Sequence, residues 1–136
     1  MAGYSETPLS KKLGLKSPIL LVTVNAPQEY LGWLGELPEG VRVVSKMTEP
    51  VQAVHIFVTE REILKKSLAT LRGRLEQNGF VWVSWPKKSS KVETDITEDS
   101  IREVALPLGF VDIKVCAVSD VWSGLKLVIR KSERTT

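Results

Sequence analysis

A single cysteine, a single histidine and no long apolar run narrow what this 136-residue chain can be. Cys116 alone excludes an internal disulfide. Its apolar run, Val115-Cys116-Ala117-Val118, predicts a small core residue rather than a nucleophile. His55 has no Cys or His nearby, so no metal site is expected. Inside an apolar strand it reads as a hydrogen-bonded packing residue. The longest apolar run near the start, Ile19-Leu20-Leu21-Val22, is too short to cross a bilayer, and residues 1–16 have no export signal. A cytoplasmic protein with no membrane role is the expectation. Charge of one sign is scarce too. Nineteen basic against sixteen acidic residues give +3. Nucleic acid usually calls for a clustered basic face, so it is not an expected partner.

What is present is an ordinary globular composition, 43% hydrophobic and 26% charged. The length suits one domain with its own core. Residues 1–17 read as an N-terminal arm, 18–131 as a single α/β domain, and 132–136 as a disordered tail. In the arm, Thr7-Pro8 followed by Leu9 to Gly14 predicts a short helix that docks through Leu9 and Leu13. Strands are expected at 19–24, 41–44, 53–58, 80–85, 113–118 and 125–130. A short helix is expected at 27–34. Thr59, with Glu62 three residues on, predicts a capped helix whose stripe is Leu64, Leu68, Leu71 and Leu75. Asn78-Gly79 is the expected stop. Thr97 begins a last helix that buries Ile101, Val104, Ala105 and Leu108. Thr94 to Asp99 is acidic, and capping this helix is its simplest role.

Strands alternating with helices predict a three-layer α/β sandwich around a mainly parallel sheet of about six strands. The last two strands are too close in sequence for a parallel crossover, so the last must be antiparallel. This order resembles the class I methyltransferase form of the Rossmann-like fold, in minimal form. The stretch Ala53–Trp85 resembles its central unit and Ile101–Arg130 its closing helix and hairpin. The resemblance implies that the last strand inserts between the fourth and fifth. It also exposes absences. Val22-Thr23-Val24-Asn25-Ala26-Pro27 carries no glycine for close approach of a cofactor. Ser45-Lys46 stands where an acidic ribose partner is usual. Tyr4-Ser5 with Thr7-Pro8-Leu9, Trp82 to Lys88, Thr94-Asp95 with Thr97-Glu98-Asp99, and Val121 to Lys126 also resemble a bacterial family known as domain of unknown function 3052. That resemblance implies a small bacterial protein without assigned activity or catalytic residues.

No stretch is a strong catalytic motif, and no cofactor is expected. Ligands of such sheets bind beyond the carboxyl ends of the strands. There Trp85, Lys87, Lys88, Asp120, Trp122, Ser123 and Lys126 form a candidate rim that could stack a flat ring and hold an anion. The small size and missing glycines point first to a non-catalytic interaction or regulatory domain on a degenerate methyltransferase-like scaffold, with a protein partner or homodimer. The alternative is a binder of a nucleotide-like or anionic small molecule, or an enzyme, using that rim.

Overall fold

The computed structural model describes residues 8–47 and 50–134. Among these, six strands form one sheet in the order β2-β1-β3-β4-β6-β5. They are β1 (Ile19–Val24), β2 (Val41–Val44), β3 (Val51–Phe57), β4 (Leu75–Pro86), β5 (Phe110–Ala117) and β6 (Trp122–Ile129). The pairs β1–β2, β1–β3 and β3–β4 are parallel. β6 runs antiparallel to both β4 and β5. The last strand lies between the fourth and fifth, as the methyltransferase resemblance implies. The expected α/β sandwich is the observed architecture.

The alternating residues of each strand feed two cores. Val54, Ile56, Val81, Val83, Trp85, Leu125 and Leu127 pack beneath α3 (Arg61–Arg74) and α4 (Glu98–Ala105). Leu21, Ala53, Phe57 and Trp82 pack beneath the arm and α2 (Tyr30–Leu34). The arm helix α1 (Leu9–Lys12) buries Leu9, and Leu13 behind it is fully buried. The Trp82 indole N–H donates to the Leu13 carbonyl at 3.0 Å, which fastens the arm to the centre of the sheet. At the other end, Lys131–Glu133 form a short 3-10 turn, and Arg134 donates to the Ile129 carbonyl.

Both ends of α3 differ from expectation. Thr59 does not cap α3 with its side chain. Its carbonyl accepts from the Thr94 hydroxyl at 2.6 Å, and the Arg61 N–H donates to Asp95 Oδ1 at 2.7 Å. The cap thus comes from a loop distant in sequence. α3 also stops at Arg74, ahead of Asn78-Gly79, because Leu75 already pairs with Val51. Gly79 instead serves close approach. A Cβ there would sit 2.6 Å from the Gln52 carbonyl oxygen. α4 does follow the local code. Thr97 Oγ1 accepts from the Ser100 N–H, and Ser100 Oγ accepts from the Thr97 N–H.

Candidate functional site

The parallel strands β1 to β4 all finish on one edge of the sheet, and the chain turns sharply as it leaves β1. Asn25 makes that turn in the left-handed region, at φ 59°. Asparagine tolerates this conformation better than most residues. Pro27 follows, and its carbonyl accepts from the Tyr30 N–H at the start of α2. A cleft opens on each side of the turn. The one toward β3 has a volume of about 370 Å³ and is lined by Asn25, Phe57, Val58, Thr59, Glu60, Ile63 and Trp122. The one toward β2 has a volume of about 270 Å³. Its lining includes Thr23, Ala26, Pro27, Tyr30, Val44 and Ser45.

The wall of the larger cleft continues into an aromatic cluster. Trp122 meets Phe57 edge-on with centroids 5.1 Å apart, and Phe57 stacks on His55 at 4.4 Å. Tyr30 meets Phe57 edge-on at 5.4 Å. Behind these rings a polar chain crosses the core. Tyr30 Oη lies 2.7 Å from His55 Nδ1, and His55 Nε2 lies 2.7 Å from Ser84 Oγ. All three residues are buried. Burial pushes His55 down to about 3, so the imidazole is neutral, with one nitrogen donating and the other accepting. Burial also raises Tyr30. The chain therefore holds α2 to β3 and β4, and its Tyr30 member also lines the smaller cleft. It has no solvent access for proton transfer.

The candidate rim is divided by the sheet. Trp85 is buried in the α3–α4 core, whereas Trp122 lies on the opposite face, half-exposed in the larger cleft. Their neighbours in register are Ser123 and Pro86. The Lys87 N–H donates to the Val121 carbonyl at 2.6 Å, and Lys88 opens an exposed 3-10 turn. Asp120 is exposed in the turn before β6 and is engaged by a neighbour. Ser123 pairs with Ala117. Lys126 lies further down β6, with its Nζ 4.4 Å from the centre of the Phe80 ring. Only Trp122 of this set lines the carboxyl-edge clefts. Phe57, Ile63 and Tyr30, which do line them, were not in the rim. Phe57 has the same strand parity as His55, which was the available signal.

The acidic stretch before α4 is structural. Asp95 caps α3, and Glu98 and Asp99 bind Arg102, which Asp112 also holds. The hydrogen bonds that the guanidinium donates to Asp112 and Glu98 raise its pKa further. Cys116 is half-buried, and burial raises its thiol. Among the described residues no group of His, Cys, Asp and Glu is placed to hold a metal, and no helix is long and apolar enough to cross a membrane.

No family model matches the chain, and no curated protein matches it. Solved structures do. A protein of Sulfolobus solfataricus described as a type 11 methyltransferase superposes with a TM-score of 0.63 at 13% identity, covering 94% of this chain and 93% of that one. A SAM-dependent methyltransferase of Aquifex aeolicus gives 0.61 at 16%, covering 90% and 88%. A precorrin-6y C5,15-methyltransferase of Geobacter metallireducens gives 0.56 at 11%, covering 89% and 85%. The expectation of a non-catalytic interaction domain is corrected by these likenesses. It rested partly on small size, yet methyltransferases share this fold over most of both chains. The chain has the methyltransferase form of the Rossmann-like fold.

Proposed function

We propose that the chain is a methyltransferase that binds S-adenosylmethionine across the turn after β1. One observation carries this reading. In a fold shared with methyltransferases, the β1–β3 cleft combines aromatic walls, Phe57 and Trp122, with the Glu60 carboxylate. Aromatic faces and a carboxylate suit a sulfonium cation. The smaller cleft offers Ala26, Pro27, Val44 and Tyr30 as largely apolar surface for a nucleoside, with the Ser45 hydroxyl for a ribose. Asn25 takes by its left-handed backbone the turn that glycine would otherwise make. These residues fit the donor, with a weaker hold on the ribose, because a hydroxyl replaces a charged acceptor.

Bound there, the donor would supply an electrophilic methyl group to a nucleophile on the acceptor. The chain's own part is placement. Phe57 and Trp122 exclude water, Glu60 supplies negative charge, and the Tyr30–His55–Ser84 chain holds the walls in position. Adding S-adenosylhomocysteine should quench indole fluorescence saturably, and W122F should remove most of the change. A flat titration to millimolar ligand would contradict the reading. We also infer membership of the bacterial family known as domain of unknown function 3052 from the motifs quoted above, and with it a bacterial cytoplasmic setting.

A further inference from the structure

A second feature lies away from the carboxyl edge, on the face covered by the arm. Lys114 of β5 and Lys126 of β6 are directly opposite each other in register. Like charges placed this way across an antiparallel pair repel and destabilise it. The arm adds a third ammonium group, since Lys16 also presses its charge on Lys126. Lys126 is half-buried, with its Nζ above the Phe80 ring and close to Gly14 of the arm. Gly14 turns there at φ 74°. Among the described residues, no carboxylate forms an ion pair with Lys16, Lys114 or Lys126. The acid nearest in sequence, Asp112, is committed to Arg102. Among the described residues, these cations thus cluster without a paired acid where the arm meets the last two strands. A sequence that breaks a local rule without internal compensation does so most often at a functional site.

We propose that Lys16, Lys114 and Lys126 form a binding site for a compact, multiply charged phosphate-class anion. Three point charges drawn together at one place suit a compact anion rather than a nucleic-acid strand. Lys126 covers the Phe80 ring, so no aromatic face is left here for a base to stack on. The lysines bind as point charges, which suits a phosphoryl group of free phosphate, of pyrophosphate or of an organic phosphoester. Burial and the charges of Lys114 and Lys16 together lower the affinity of Lys126 for its proton, and a bound anion would reverse that shift. This site is independent of the methyl-donor reading.

The test is thermal unfolding of the full chain titrated with inorganic pyrophosphate, against sodium chloride at matched ionic strength. A saturable rise of several degrees in the midpoint is expected with pyrophosphate alone. K126M keeps an apolar stem over Phe80 and removes one repulsive charge. It should hold or raise the midpoint without ligand while weakening pyrophosphate binding at least about tenfold. A phosphomonoester such as glycerol phosphate, run in parallel, separates free phosphate from an organic phosphate as the source. An unchanged pyrophosphate response in K126M would overturn the proposal. So would equal responses to chloride and pyrophosphate, or tighter binding of a short single-stranded RNA that K126M leaves intact.

Discussion

Trp85 and Trp122 sit almost side by side along the β4–β6 ladder, yet on opposite faces of the sheet. Trp85 pairs with Ser123 and Trp122 with Pro86. That one-residue offset sends one indole into the α3–α4 core and the other into the carboxyl-edge cleft. The two substitutions should therefore separate stability from binding. Trp85→Ala should cost about 3–5 kcal/mol in chemical denaturation. Trp122→Ala, at a half-exposed ring, should cost about 1 kcal/mol and remove ligand response at the cleft. Equal losses of stability would contradict this division.

His55 makes stability fall in acid. Its folded-state value, about 3, lies below the ordinary value of 6.5. The unfolded chain takes up a proton that the folded chain refuses. Stability is fully present above pH 6.5 and declines as the pH falls from there toward 3. The loss approaches roughly 4 kcal/mol at the lower end. His55→Gln should flatten this part of the profile. An unchanged slope in that variant would place the acid sensitivity elsewhere.

Ser45 is the residue through which ribose binding could be strengthened. At the end of β2 it presents a neutral hydroxyl to the smaller cleft. Ser45→Asp would replace it with a charged acceptor, which makes the stronger hydrogen bond. Affinity for S-adenosylhomocysteine should rise about tenfold, equivalent to about 1.4 kcal/mol. A decrease would mean that the ribose does not lie against β2.

Trp82 should control the arm. Replacing its indole N–H by Trp82→Phe removes the bond to the Leu13 carbonyl and leaves space in a fully buried site. The loss should be about 2 kcal/mol. Hydrogen exchange should quicken at Leu13 and Gly14 before it does in the sheet. Uniform acceleration over the whole molecule would show that the arm has no separate opening.

Much of this architecture was legible in local patterns. Apolar runs gave the strands, and the leucine stripe gave α3, because burial on both faces of a parallel sheet leaves a strong signature. The close spacing of β5 and β6 required their antiparallel pairing. The cap of α3 was not legible, since Asp95 reaches it from another segment. Nor was the end of that helix, where pairing of Leu75 with Val51 overrides the Asn78-Gly79 stop. The rim was read from the nearness of Trp85, Lys87, Trp122 and Lys126 along paired strands. Face parity then divides them, and the same parity brings Phe57 to His55. The Tyr30–His55–Ser84 chain joins three distant segments, which no local pattern could reveal.

The measurement that tests the central claim most directly is calorimetric titration of the full chain with S-adenosylhomocysteine, beside the Glu60→Lys variant. One-site binding in the micromolar range, lost when Glu60 becomes lysine, is the predicted result. No heat at millimolar ligand, or binding that ignores the Glu60 substitution, would contradict a methyl-donor site at the turn after β1.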